Sequence, residues 1–381
     1  MKFVFASDSF KGSLSSEKIN DILTSVARRH FPDCETAAIL TADGGEGTVD
    51  AVLAGTGGEC VSVPVHDPLG RPMNAFYGRI SETRAIIEMA AASGLPLLLE
   101  SERNPLFTST YGTGELIAHA LDHGATDITV AIGGSATNDG GMGAMTALGV
   151  RFLDADGNFL SGIGADLERV ADIDLSGLHP RVRDAKFTVM CDVNNPLIGE
   201  RGATFVFGPQ KGATPEIADR LELGMKNYAS VLEQKLGISV ASIAGGGAAG
   251  GLGAALLVFL GANMKSGIDT LLDLINFDAL LQGADFVVTG EGRMDSQSAD
   301  GKVACGVGLR CKAANVPAFA IVGGMGSGAE AIYDCGILSI LPTVNAPMSL
   351  SDAIERAEEL YEGAAERLFR LIKATTERSK S

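Results

Sequence analysis

Residues 284–302, Ala-Asp-Phe-Val-Val-Thr-Gly-Glu-Gly-Arg-Met-Asp-Ser-Gln-Ser-Ala-Asp-Gly-Lys, constrain the fold more than any other stretch. Phe286 to Val288 has the length and β-branched content of a buried parallel strand. The spacing ends that strand at Thr289-Gly290, and Glu291, Arg293, Asp295, Gln297, Asp300 and Lys302 crowd into residues 291–302. In open α/β sheets, ligands sit in the crevice beyond the carboxyl ends of the strands. Cations, carboxylates and an amide packed there suit an anionic substrate, a metal-bound phosphate, or both. An ordinary surface loop can be as polar, but two glycines permitting close backbone approach after a buried strand favour a site.

Similar punctuation recurs along the chain. A first strand is expected over 2–6, then a loop, then a helix carrying Ile19, Ile22, Leu23 and Val26 on one face. A second strand over 36–41 precedes Asp43-Gly44-Gly45-Glu46-Gly47. Segments 59–65, 73–80 and 84–89 alternate and are joined by turn residues, which suggests antiparallel pairing. Beyond them come a strand over 128–132, a hairpin at Asp156-Gly157, a strand over 187–191 and a long helix over 215–236. Strand–helix alternation then returns from 285 to 341, and a closing helix over 351–375 carries Ile354, Leu360, Leu368 and Leu371 at helical spacing.

The pattern predicts an α/β chain of two domains. One is a discontinuous Rossmann-like, doubly wound domain built from both termini, residues 1–70 plus 266–381. The other is an inserted mixed α/β domain over 71–265, with the active site in the cleft between them.

The net charge of −17 argues against nucleic acid or an anionic membrane as partner, since both need a basic face. An anionic ligand must therefore be held by locally placed cations and helix N-termini. Six cysteines without CxxC spacing read as buried or free thiols in a reducing compartment. Residues 236–264 carry no charge, but their clustered glycines read as a loop feeding a buried helix rather than a membrane span. The N-terminus is interrupted too soon by Asp8 and Lys11 to act as a signal peptide, so a soluble, cytoplasmic protein is expected.

Four further loops carry candidate chemistry. Ser7-Asp8-Ser9-Phe10-Lys11-Gly12 places Asp8 at a strand end and Lys11 beside a helix N-terminus, a ready anion site. An Asx turn with a solvated lysine is the plainer alternative. Asp43 and Glu46 flank glycines and can offer oxygen ligands to Mg²⁺, although Glu46 also suits a helix start. Gly133, Gly134, Ser135, Thr137 and Asn138 belong to a strand-to-helix loop whose successive N–H groups can cradle an anion. Gly245, Gly247 and Gly250 match GxGxxG, with Asp269 downstream, but the preceding residues make a poor strand. That stretch is weak for NAD and fits phosphate binding, through Gly246, Gly247 and Gly250, or tight packing. Gly140–Ala144 and Gly250–Ala254 echo one another, from duplication or from two phosphate-type loops. His119 and His123 lie four apart, but Ala120 excludes HExxH, and they are expected to cap their helix.

Taken together, these loops resemble the type I glycerate kinase family over nearly the whole chain. The motifs that carry the likeness are Asp8-Ser9-Phe10-Lys11-Gly12-Ser13-Leu14-Ser15, Ala42-Asp43-Gly44-Gly45-Glu46-Gly47-Thr48 and Gly133-Gly134-Ser135-Ala136-Thr137-Asn138-Asp139-Gly140-Gly141. To them are added Cys191-Asp192-Val193-Asn194-Asn195-Pro196-Leu197, Phe207-Gly208-Pro209-Gln210-Lys211-Gly212-Ala213 and Thr289-Gly290-Glu291-Gly292-Arg293 through Lys302. The resemblance implies ATP-dependent phosphorylation of D-glycerate, with Mg²⁺, to 2-phosphoglycerate; the 3-phosphate is the alternative product. An NAD(P)-dependent hydroxyacid dehydrogenase and a non-catalytic small-acid binding protein are the rival readings.

From loop position and residue type, Arg293 with Lys302 or Lys11 is expected to hold the substrate carboxylate and the γ-phosphate. Asp192 or Asp8 would accept the hydroxyl proton. Asp43, Glu291 and Asp295 are candidates for Mg²⁺. The oligomeric state stays open.

Overall fold

The computed structural model describes residues 1–42, 44–299 and 301–378. It is a mixed α/β chain that divides into two units. The first comprises Met1–Asp43, Ala54–Thr56 and Ile268–Ser381, and the second comprises Gly44–Leu53 and Gly57–Gly267. The first boundary therefore falls at residue 43 rather than at 70. The reason is pairing: Glu59–His66 and Pro72–Arg79 form an antiparallel hairpin that belongs to the second unit's sheet.

The first unit is built on a five-stranded sheet ordered Ile337–Pro342, Ala318–Met325, Phe286–Met294, Lys2–Ser7, Glu35–Ala38, with every pair parallel. Alternate residues of these strands point to one face, and Phe3, Phe5, Val288 and Ile321 share a buried cluster there. Two helices close that face. Ser16–His30 supplies Ile19, Ile22, Leu23 and Val26, as its spacing predicts. Ala357–Arg378 supplies Tyr361, Leu368, Phe369 and Ile372, and the Phe369 ring stands edge-on to Phe3 at 5.1 Å. Leu371, expected on the inner face, is exposed, as is Ile354 on the separate short helix Leu350–Glu355.

The strand expected to stop at Thr289 runs on to Met294, so Glu291 and Arg293 sit on the strand rather than in a loop. Its neighbour explains the extension, because Ala318–Met325 is equally prolonged and pairs Glu291 with Val322 and Arg293 with Gly324. The expected helix over 328–335 is only a short 3₁₀ turn, Ala329–Tyr333. Cys305 and Cys335 form a disulfide with Cα atoms 5.2 Å apart, against the expectation of free thiols throughout. Cys34, Cys60, Cys191 and Cys311 are free.

The second unit carries a six-stranded sheet ordered Asn263–Lys265, Lys186–Met190, Asp127–Ala131, Arg84–Glu88, Pro72–Arg79, Glu59–His66. Its first four strands are parallel and the last two join antiparallel, as the alternation over 59–89 suggests. Ile128, Val130, Phe187 and Val189 pack under Leu116, Met145, Leu232 and Leu256. The long helix Pro215–Leu236 begins at Thr214, whose side chain accepts the Ile217 N–H, and stops at left-handed Gly237. The hairpin expected at Asp156-Gly157 is reduced to a single bridge between Leu153 and Phe159. His123 Nδ1 and N–H both meet the His119 carbonyl, which closes the helix end as expected. Among the described residues, no helix is long and apolar enough to cross a membrane.

Candidate active site

Predicted site residues gather at the carboxyl ends of the parallel strands in each unit. In the first unit, Lys2–Ser7 runs into a tight turn. The Asp8 N–H donates to the Gly290 carbonyl at 2.9 Å, and Asp8 Oδ1 accepts the Ser9 N–H at 2.7 Å. Phe10 is buried with its ring edge-on to Tyr361 at 5.4 Å, which anchors the turn and leaves Lys11 exposed at its tip. Gly292 lies alongside this turn, since a Cβ there would be 3.3 Å from Phe10 Cα. The Lys11 turn and the Glu291–Arg293 segment are therefore adjacent.

Glu291 is 8% exposed, and its Oε1 has no hydrogen-bond partner. Burial pushes its carboxyl above the ordinary range, against the pull of the Ser298 hydroxyl and Lys302; Asp8 and Asp295 add to the rise. These four residues thus act on one carboxylate. Arg293 is 77% exposed and only loosely paired, its Nε lying 3.8 Å from Asp295 Oδ2. Asp295 also orders its own turn, accepting the Gln297 N–H while its N–H donates to Ser298 Oγ. Lys302 is exposed at the N-cap of helix Val303–Ala314.

A buried carboxylate oxygen with no donor is costly unless a cation or donor meets it. Glu291, with Asp8 and Asp295 near enough to raise it, fits a Mg²⁺ ion held by one or two carboxylates together with substrate phosphates. No all-protein cage is present among the described residues, where no group of three or more His, Cys, Asp and Glu could hold a metal. Asp43, the other expected metal ligand, lies outside the described residues.

In the second unit, Gly133 N–H donates to the Gly44 carbonyl at 3.1 Å, and Gly44 packs on Met190 and Gly267. Asp192 lies two residues past Met190 and accepts the Gly267 N–H at 2.8 Å. Gly134, exposed, and Asp192, also exposed, thus stand at the ends of neighbouring strands, beside the loop Gly44–Gly47. Sequence reasoning passed over Glu88, which ends the apolar strand Arg84–Glu88. It is 6% exposed and accepts the Thr48 N–H at 2.9 Å, fixing the start of helix Thr48–Thr56. Burial raises its carboxyl, against hydrogen bonds from Thr48, Val49 and Gly47.

The remaining expected nucleotide residues are placed differently. Thr137, Asn138 and Asp139 are fully buried, and Ser135 nearly so. Gly246, Gly247 and Gly250 are buried as well. Gly250 has φ +65°, and any Cβ there would strike the Thr137 carbonyl and Asn138. Gly140 N–H donates to the Gly250 carbonyl at 2.9 Å, so the two echoing glycine segments lie against each other. Glycine is needed at 250 for backbone contact, and the expectation of an open phosphate cradle there is not met. Among the described residues, the element before Gly245 is the helix Pro215–Leu236 and no strand leads directly into it, so the strand that a dinucleotide fingerprint needs is lacking there. Lys211, quoted in the Phe207–Ala213 motif but given no role there, is 1% exposed and donates from Nζ to the Thr137 carbonyl at 2.6 Å.

Comparison with known proteins decides the family. The sequence profile of the Glycerate kinase family matches residues 3–373. The chain belongs to the glycerate kinase family. It is 45% identical to a glycerate kinase of Bacillus subtilis (strain 168), over 98% of each chain. It is 43% identical to glycerate 2-kinase of Escherichia coli (strain K12), over 97% of this chain and 96% of the other. A crystal structure from Salmonella typhimurium LT2, described as a glycerate kinase 2, superposes with a TM-score of 0.88 at 44% identity and covers 99% of both chains. Family membership makes this chain a kinase.

Proposed function

We infer that the chain transfers the γ-phosphoryl group of ATP to the 2-hydroxyl of D-glycerate, releasing 2-phosphoglycerate and ADP. The observation that carries this reading is near-full-length identity to named glycerate kinases, one of them a glycerate 2-kinase, joined to charged strand-end clusters. Strand order supports the placement. Numbered along the chain, the first unit's sheet reads 2-1-3-4-5, which we take as a Rossmann-like, doubly wound arrangement. Its connection reverses between Lys2–Ser7 and Phe286–Met294. Ligands in such sheets bind outside the carboxyl ends at that switch point. Asp8, Lys11, Glu291 and Arg293 stand there.

Phosphoryl transfer needs positioning and charge neutralisation more than covalent chemistry. Arg293, exposed and loosely paired, suits bidentate capture of the glycerate carboxylate. Lys11 and Lys302 would meet phosphate oxygens, and Gly134, exposed in the loop after its strand, would offer its N–H to the triphosphate. Asp192 or Asp8 would accept the hydroxyl proton as the oxygen attacks phosphorus. Glu291 with Asp295 or Asp43 would hold Mg²⁺, which supplies neutralisation of the β- and γ-phosphate oxygens.

Phosphorus NMR of the mixture formed from ATP and D-glycerate tests the reading. We expect 2-phosphoglycerate and ADP in equal amounts. A 3-phosphate resonance would reassign the hydroxyl, and glycerate bound without ADP release would make the chain a binding protein.

A further inference from the structure

Lys211 is not among the groups assigned to phosphoryl transfer, yet it is one of the most deeply buried side chains of the molecule. Its stem leaves a short 3₁₀ turn, Pro209–Lys211, that closes at Gly212 with φ +90°. A Cβ at Gly212 would strike the Arg103 carbonyl, so the turn is seated against neighbouring backbone and the direction of Lys211 is set. The ammonium donates to the Thr137 carbonyl, and Gly250 closes on that same carbonyl from the 245–253 segment. One residue before Lys211's turn, the helix Ala203–Phe207 adds a second tie, because Asn138 Nδ2 donates to Thr204 Oγ1 at 3.0 Å. Asp139, next along, is fully buried and accepts from the Thr110 N–H and hydroxyl and from the Gly141 and Gly143 N–H groups.

We propose that Lys211 is a positioning residue for phosphoryl transfer, pinning the Thr137 carbonyl so that the Gly133-Gly134 turn is held to receive the triphosphate. A lysine sealed from water is disfavoured unless something in the fold uses its charge. Here burial pushes the Lys211 pKa down to about 7, and the Asp139 carboxylate opposes that fall. The amine is therefore part-protonated near neutrality, and it donates to the buried Thr137 carbonyl. The proposal rests on the reading that the Gly133-Gly134 turn meets the nucleotide, and the test separates the two.

The experiment compares wild type with Lys211→Met for kinetics and for amide hydrogen exchange of residues 133–141, each with and without ATP. Lys211→Met should raise the KM for ATP at least tenfold, leave the KM for glycerate within twofold, and speed exchange across the loop. Unchanged exchange and unchanged KM for ATP would overturn the proposal. Faster exchange with a raised KM for ATP, but no protection of the wild-type loop by ATP, supports the positioning role while refuting direct nucleotide contact. If the variant fails to fold, wild-type protein labelled at lysine ¹⁵Nζ provides the readout. The lysine that titrates near neutrality should shift when a non-hydrolysable ATP analogue is added, and an unmoved resonance would overturn the proposal.

Discussion

Single residues in these clusters are distinguished by what each does to its neighbours. Glu291 is a carboxyl held above its ordinary range, mainly by burial. Such an acid carries more protons folded than unfolded between the ordinary and the raised values, so stability falls as pH rises through that window. Glu291→Gln removes the penalty. It should raise the melting temperature at neutral pH while lowering kcat by orders of magnitude, which calorimetry and a steady-state assay would show together. Lys211 works with the opposite sign. The unfolded chain keeps its lysine proton up to about 10.5 while the folded chain releases it near 7, so the unfolded state binds more protons between them. The Lys211 contribution to stability therefore rises with pH across that interval, by at most about 1.4 kcal/mol per pH unit. Urea unfolding at pH 6.5 and 9 should show a wild-type gain over that range that Lys211→Met lacks. Asp8 and Asp192 are separated by kcat alone. Replacing the proton acceptor with Asn should cost roughly 10²–10⁴ in kcat, and the other substitution should fall short of that.

At the scale of elements, apolar runs bounded by glycine and polar turns made most strands legible. Lys2–Ser7, Lys186–Met190 and Ile337–Pro342 emerge within a residue or two of where short buried strands are expected. The extension of Phe286–Met294 was not legible, because it is set by a partner strand at 318–325 and local sequence there reads as a turn. The closing helix shows a related limit. Leu360 and Leu368 face inward, but Leu371 points to solvent, and Tyr361 and Phe369 do the packing. A stripe of leucines does not say which side of it meets the sheet. Phe369→Ala should destabilise the protein by about 3–5 kcal/mol, the usual cost of emptying a buried aromatic position. Activity per folded molecule should stay near wild type. Lost turnover at full foldedness would mean this helix does more than cover the sheet.

For the whole molecule, the strand-end position of several polar loops was readable because polar groups after buried strands have few structural reasons to be there. Of the two readings left open for the 245–253 glycines, phosphate binding or tight packing, the structure shows packing at Gly250. Gly250 meets Thr137 backbone to backbone, and a composition rich in glycine gives no sign of that contact. Glu88 and the Cys305–Cys335 pair were missed, and Lys211 was seen only as part of a motif and given no role, for one physical reason, since burial and pairing at long range leave no mark in local spacing. A net charge of −17 also sharpens the electrostatic problem, because two anionic substrates must be drawn in by a few local cations. The proposed function gives the Arg293 guanidinium the task of gripping the acid. The direct measurement is kcat/KM for D-glycerate with Arg293→Ala, at saturating ATP and with folding verified by circular dichroism. Arg293 is exposed, so stability should hold while kcat/KM falls a hundredfold or more, about 2.7 kcal/mol of transition-state binding. A value within twofold of wild type would contradict that role.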